Sequence, residues 1–225
     1  VILEVTAVSR DGRITHGDLG IWTDEQAKKL APIAAFLKSE GSVPAIQIGH
    51  SGRKGSMQRP WKGNGPLTPE DIADGNTPWQ PEAPSAVPLA DGWLTPRELD
   101  FDDMKRLRGA FADATKRSVD AGFESVEIHC AHGYLLQTFL SPLGNFRKDA
   151  YGGDLEGRMR LSLEIAEDVR AALPDNLPLF VRISSVDAIE GGWEMEDSLI
   201  FAKELKERGV DVIDCSSGGQ SPKGA

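Results

Sequence analysis

Ser125-Val-Glu-Ile-His129-Cys-Ala-His132-Gly-Tyr134 begins as a strand and ends as a turn. Val126 and Ile128 are β-formers in a run of the length usual for a buried parallel strand. Gly133 breaks the run, and the apolar Tyr134-Leu-Leu-Gln-Thr-Phe-Leu140 starts a short helix. Imidazoles and a phenol therefore stand where a strand hands over to a helix, the edge at which α/β proteins bind ligands. Side chains alternate faces along a strand. His129 and His132 would point opposite ways if the strand ran through both, and converge only if it ends near Cys130 or Ala131. The pair would then offer N–H donors to one small polar atom, such as a carbonyl or nitro oxygen. The Tyr134 hydroxyl, one turn away, would deliver a proton. Two satisfied structural histidines at a strand end are the competing reading, because a histidine pair alone is a weak motif.

The chain on either side repeats the same alternation. Residues 1–8 read as a strand, and Thr23-Asp-Glu-Gln26 as a capping box opening a helix over 24–39 that ends at Gly41. Residues 43–50 form the next strand. A helix over 100–121 carries Phe101, Met104, Leu107, Phe111 and Ala114 at helical spacing. Further helices are predicted over 155–173 and 194–208, and further strands over 178–183 and 210–217. Strands alternating with helices mean parallel pairing with right-handed crossovers. Polar residues close each strand: Thr6, Gln47 and His50, His129 and His132, Arg182 and Ser184, Ser216 and Ser217. That is the layout of a (β/α)8 TIM barrel, whose reactive groups come from several strand ends. An open doubly wound sheet is the alternative, but no Gly-x-Gly-x-x-Gly follows the first strand. A complete barrel takes about 250 residues and eight strands. Residues 1–225 are thus expected to be a single partial barrel domain, some three units short. A loop excursion at about 51–99 holds eight of the fourteen prolines and three of the five tryptophans. It is expected to pack over the barrel end.

Composition sets limits. A net charge of -10 argues against nucleic acid or an anionic membrane surface as partner. No apolar run approaches the roughly 20 residues of a membrane span, and no signal peptide is visible. Cys130 and Cys215 lack metal-ligand or CxxC spacing, which points to a reducing, cytoplasmic setting and no metal. The chain opens inside a strand without an initiator Met, and Gly218–Ala225 follows closely on the last strand, so truncation at both ends is expected.

Four motifs occur in order: Gln47-Ile-Gly-His50-Ser-Gly-Arg53-Lys54; His129-Cys-Ala-His132-Gly-Tyr134-Leu-Leu-Gln137-x-Phe139-Leu-Ser-Pro142; Asn145-x-Arg147-x-Asp149-x-Tyr151-Gly-Gly153; and Val181-Arg182-Ile-Ser184. Together they resemble the old yellow enzyme family of FMN-dependent ene-reductases, most closely its xenobiotic-reductase or thermophilic-like branch. The resemblance covers essentially the whole chain. It implies that the first strand here is the family's second and the last its sixth. By that resemblance His129 and His132 hold the substrate oxygen and Tyr134 protonates the α-carbon. Gln47, Arg182, Ala7 and Lys54 are cofactor-binding: Gln47 at the flavin pyrimidine edge, Arg182 near flavin N1 and O2, Ala7 against the isoalloxazine, Lys54 nearby. Cys130 stands where the branch usually has Ala, and Asp154 where it often has Ser. Tyr151-Gly-Gly153 is read as a structural turn. The cofactors implied are FMN and NADPH or NADH. The implied partner is a small enone or nitro compound, and the full-length protein is implied to be a homo-oligomer, dimer or tetramer.

The FMN phosphate site and the first strand of the family fall outside the chain, so the chain alone is expected to bind FMN poorly. Two rivals stand beside the ene-reductase reading. One is a dienoyl-CoA reductase or amine dehydrogenase of the same superfamily, and the other a non-catalytic barrel fragment. A metal-dependent hydrolase using His129 and His132 is disfavoured, because no carboxylate stands at a neighbouring strand end in ligand spacing.

Overall fold

Five parallel strands form one sheet in the order β1-β2-β5-β6-β7. They are β1 (Ile2–Ala7), β2 (Ala45–Gly49), β5 (Ser125–Cys130), β6 (Leu179–Ser184) and β7 (Val212–Ser216). Sequential order in a parallel sheet is the signature of consecutive units of a barrel rather than of a doubly wound sheet, whose order reverses at a switch point. The computed structural model describes residues 1–221. The Pro222–Ala225 end of the final stretch lies outside the described residues. Among the described residues no helix is long and apolar enough to cross a membrane.

The crossovers are helices with legible starts. Thr23 caps α1 (Asp24–Ser39) in a capping box with Gln26, and Asp100 caps α3 (Phe101–Asp120) in one with Asp103. Asp154 accepts the Gly157 N–H at the start of α5 (Leu155–Ala172), and α6 is Met195–Glu207. Their buried faces carry Leu30 and Ala34, Leu107 and Phe111, Leu163 and Ile165, and Phe201 and Leu205. These meet Ile46, Ile48, Val126, Ile128, Val181 and Ile183 in one continuous core. Burying each such side chain is worth about 1.5–3 kcal/mol. Period-2 alternation sends the intervening residues to the other face of the sheet, the inner face of the barrel. Gln47 pairs in register with Glu127, and His129 with Arg182, which in turn pairs with Asp214.

The excursion after β2 is short pieces, as its prolines dictate. It holds single 3-10 turns at Gly52–Lys54 and Pro60–Lys62 and α2 (Pro69–Ala73). A two-residue parallel pair of β3 (Glu82–Ala83) and β4 (Arg97–Glu98) completes it. It is fastened rather than loosely laid. Trp79 donates through Nε1 to the Asp11 carbonyl at 2.9 Å. The buried Arg147 guanidinium donates to the carbonyls of Pro84 at 3.0 Å and Leu99 at 2.6 Å and chelates Asp149. Asn145 bridges the carbonyls of Phe139 and Tyr151, both at 2.8 Å. The Asn145–Gly153 motif is thus an anchor between excursion and barrel. The expected packing is uneven, however, for Trp61 is 77% exposed.

Candidate active site

The strand β5 ends at Cys130, and this lets the two histidines converge. His132 adopts a left-handed conformation, φ 58°, which folds the chain back on itself. Gly133 follows at φ 71°, and a Cβ there would lie 2.1 Å from the Gly219 carbonyl oxygen, so no larger residue fits. The short helix α4 (Leu135–Leu140) then begins, with the Leu135 N–H on the His50 carbonyl at 3.0 Å. The result is a cluster of three rings. His129 lies 5.1 Å from His132 and 5.0 Å from Tyr134, centroid to centroid, and both pairs meet edge to face.

The hydrogen bonds fix the tautomers. The Ala131 N–H donates to His129 Nδ1 at 3.2 Å, so His129 carries its proton on Nε2. That Nε2 lies 3.4 Å from His132 Nδ1 and donates to it, which places the His132 proton on Nε2. His132 Nε2 in turn donates to Ser216 Oγ at 2.7 Å. Both rings are held neutral. Burial, then the neighbouring His132, Arg182 and Lys54 charges, lower His129 to about 3. Burial also lowers His132, with help from Arg182 and Lys54. Burial pushes the Tyr134 phenol up to about 12, and Asp18 adds to the rise. The cluster thus offers neutral N–H donors and a protonated phenol at neutral pH, a set that binds an oxygen and supplies a proton without carrying net charge.

The other candidate residues fall around this cluster. Ala7 is buried at the end of β1, beside Gly49 in register, and shares a small cleft with His129 and Tyr134. Gln47 is buried and donates to Glu127 Oε1 at 2.6 Å. Arg182 Nε lies 3.4 Å from Asp214 Oδ2. That nitrogen is buried and has no hydrogen-bond partner among the described residues, and Glu127 Oε2 is in the same position. Lys54 stands with the ring cluster: its ammonium donates to the His132 carbonyl at 2.7 Å. Cys130 faces away, toward Ser162 at 3.7 Å, and burial raises its thiol to about 12. A cavity of about 460 Å³ opens above Tyr134 and Lys54, with Trp61, Trp93, Leu89 and Asp18 among its walls.

Sequence reasoning missed Glu127, Asp214 and Asp18. The first two carry a signal: each is two residues from an inner-face position, Glu127 from His129 and Asp214 from Ser216. Asp18 carries none, since its place depends on how the 9–20 loop returns across the sheet. The loop returns because Asp18 accepts from Thr15 Oγ1 at 2.6 Å and from the Ile14 N–H at 2.5 Å.

One cluster has metal-ligand composition. Asp11, His50 and Glu82 bring ligand atoms within 4.8 Å of one another. The donor set does not suit an ion. His50 Nδ1 accepts the Gly52 N–H at 3.1 Å, so its proton sits on Nε2, the atom facing Glu82 at 3.8 Å. Glu82 is claimed by the guanidiniums of Arg97 and Arg106. The trio is a charge network that fastens the excursion to β2 and α3.

Residues 1–220 match the family model described as the NADH:flavin oxidoreductase / NADH oxidase family. The chain is 41% identical over 218 residues to an NADPH dehydrogenase of Bacillus subtilis, covering 97% of this chain and 58% of that protein. Among solved structures it superposes on a 2-naphthoyl-CoA reductase with a TM-score of 0.84 at 26% identity, covering 99% of this chain and 33% of the other. It superposes on the old yellow enzyme homologue of Zymomonas mobilis with a TM-score of 0.78 at 28% identity, covering 95% and 59%. The chain therefore spans less than two thirds of the proteins it matches, and its sheet is a partial (β/α)8 barrel of their kind.

Proposed function

The chain belongs to the NADH:flavin oxidoreductase / NADH oxidase family, and from that premise we propose that the complete protein is an FMN-dependent NADPH oxidoreductase, an ene-reductase of the xenobiotic-reductase kind. Its substrates are activated alkenes: α,β-unsaturated carbonyl or nitro compounds. The observation that carries the reading is the cluster of His129, His132 and Tyr134, with ring centroids about 5 Å apart and both imidazoles neutral.

The inner face suits a flavin. A pyrimidine edge presents both N–H and carbonyl groups, and it needs acceptors and donors side by side. Arg182 Nε, ion-paired to Asp214 at 3.4 Å, and Glu127 Oε2, on the carboxylate that Gln47 holds, are a buried donor and a buried acceptor without hydrogen-bond partners among the described residues. Arg182 would stabilise negative charge on the ring, Gln47 and Glu127 would address its edge, and Ala7 would leave room for its plane. Bound there, FMN would supply the hydride chemistry that links NADPH to the substrate β-carbon.

The chain's own residues do the rest. His129 gives up the weak 3.4 Å contact with His132 and donates its Nε2–H to the substrate oxygen, and His132 exchanges the bond from its Nε2–H to Ser216 for one to the same oxygen. The oxygen so held draws electron density out of the alkene, and the negative charge that develops there is stabilised. Tyr134 is protonated across the physiological range, its phenol being pushed up to about 12, and gives its proton to the α-carbon. The partly apolar cavity above it admits the remainder of the substrate. The cytoplasmic setting and the homo-oligomeric state, dimer or tetramer, belong to this proposal on the family's account.

The test is Tyr134→Phe in the complete protein, with the two half-reactions followed separately by the flavin absorbance. Flavin reduction by NADPH stays within twofold of wild type. Reoxidation by cyclohexenone slows by roughly 10²-fold, the usual worth of a positioned general acid. Equal losses in both would remove Tyr134 from the proton-delivery role. A second reading is favoured by one observation, the 0.84 TM-score to a 2-naphthoyl-CoA reductase: a larger flavoprotein acting on acyl-CoA thioesters. Turnover of an enoyl-CoA in preference to cyclohexenone would support it.

A further inference from the structure

Lys54 was carried into the cofactor set by its motif, but its surroundings give it another task. The side chain belongs to the 3-10 turn Gly52–Lys54, which packs directly under the His132–Leu135 turn. A Cβ on Gly52 would lie 2.8 Å from the Leu135 backbone, so the turn's closeness is built in. From there the ammonium reaches two points at once. It donates to the His132 carbonyl at 2.7 Å, and it lies 5.5 Å from the centroid of the Tyr134 ring. No carboxylate pairs with it among the described residues, and its charge faces the cavity that Tyr134 also lines. His132 is a non-glycine residue in the left-handed region, a conformation that persists only when its surroundings hold it. Ser184 Oγ accepts its N–H at 2.9 Å, and Lys54 holds its carbonyl.

Building on the proposed ene-reductase reading, we propose that Lys54 is the positioning residue of the alkene half-reaction: its ammonium fixes the His132 peptide and places a fixed positive charge beside the Tyr134 phenol. The charge matters at one moment. When Tyr134 protonates the substrate α-carbon, its O–H bond breaks and the bonding pair stays on Oη. The new C–H bond takes the electron pair of the enolate or nitronate. A phenolate is left in a buried site, where an unaided anion is costly. Lys54 is the cation there to receive it, and solvent returns the proton through the open cavity.

The groups facing Lys54 make its own titration readable. Burial lowers it to about 8, with Arg53 beside it in the turn adding to the effect. Across the site stand His129 and His132, both lowered and neutral near pH 8, and Tyr134, raised to about 12. Glu4 of β1 and Asp18 of the 9–20 loop also line the cavity. Among Lys54, His129, His132 and Tyr134, Lys54 is the one that changes charge near pH 8.

The experiment compares Lys54→Met and Lys54→Arg with wild type in the complete FMN-loaded protein. Reoxidation by cyclohexenone is followed against pH, separately from reduction by NADPH. In wild type the alkene half-reaction is constant below about pH 8 and falls above it. Lys54→Met is roughly tenfold slower at pH 7 and shows no such limb, while Lys54→Arg keeps the rate and carries it past pH 10. A second readout needs no turnover. In the FMN-free protein labelled at its four histidines, with His132→Asn for assignment, the His132 imidazole titrates at higher pH in Lys54→Met. A Lys54→Met rate loss that keeps the limb, or an unmoved His132 titration, overturns the proposal. If Tyr134→Phe itself leaves alkene reduction untouched, it is the underlying reading that fails, and the two failures are told apart.

Discussion

Ile128 and His129 are neighbours on β5 and almost equally hidden, at 1% and 4% exposure, yet they belong to different halves of the molecule. Ile128 faces the helices with Ile48 and Val181, in the continuous hydrophobic core. His129 faces inward with Arg182, Glu127 and His132, and burial there works against the charged forms of His129, His132 and Glu127. One strand thus carries both the folding energy and the chemistry, separated only by the pleat. The lesson is that burial has opposite meanings on the two faces. On the outer face it stabilises; on the inner face it is a cost that holds the histidines neutral and the phenol protonated.

The sharpest way to break this comparison is to cut the outer face. Ile128→Ala removes a fully buried branched side chain from a filled core and should destabilise the protein by about 3 kcal/mol. Urea unfolding of the complete protein measures it. The His129 and His132 titrations should be unmoved, because the two faces share no contact between these side chains. A stability loss below about 1 kcal/mol would mean that the β5 layer is not packed as described.

Acid is the next largest lever, and between pH 7 and pH 5 it acts through the buried histidines. The folded His129 titrates at about 3 against an unfolded 6.5, so the folded state binds its proton less readily than the unfolded one. The associated stability is therefore present above pH 6.5 and is lost as pH falls toward the folded value. From pH 7 to pH 5 the loss through this group is about 2 kcal/mol. His50, lowered by burial, adds a loss of the same sign. His129→Asn should keep the His50 and His132 parts and lose the His129 part, so the difference between the two proteins reads His129. Parallel pH–stability curves would show that His129 is not held neutral by the fold.

The two faces were not equally legible in the sequence. The strand and helix order could be read from period and caps: Thr23 with Gln26 and Asp100 start helices where they stand. His129, His132 and Tyr134 were found because Gly133 marks a strand end and three reactive rings crowd it. What sequence spacing did not carry is long-range pairing. Gln47 meets Glu127 across 80 residues, and Arg53 meets Gln220 across 167. Lys54 illustrates the limit: its motif placed it near a cofactor, while its partner is a backbone carbonyl that no side-chain pattern announces. The Asp11–His50–Glu82 network escaped for the same reason, since its members come from a turn, a strand end and the excursion.

The smallest expected effect tests whether inner-face charge is held for function at a cost to the fold. Glu127 is 1% exposed; Oε1 accepts from Gln47, and Oε2 has no partner. Burial raises its carboxyl above the ordinary value, with Asp214 adding to the rise and Gln47 and Arg182 opposing it. A raised carboxylate stabilises the fold below its unfolded value and withdraws that stability as pH climbs through the folded one. Glu127→Gln keeps the Gln47 hydrogen bond and removes the titration. At pH 7 the variant should therefore be the more stable protein, by no more than about 1 kcal/mol, the net worth of one hydrogen bond. At pH 4 the two should coincide. FMN affinity gives the other half of the answer: if Glu127 faces the flavin edge as proposed, the more stable variant binds FMN less tightly. A variant that is more stable and binds FMN equally well would leave the buried carboxylate without a functional reason to be there.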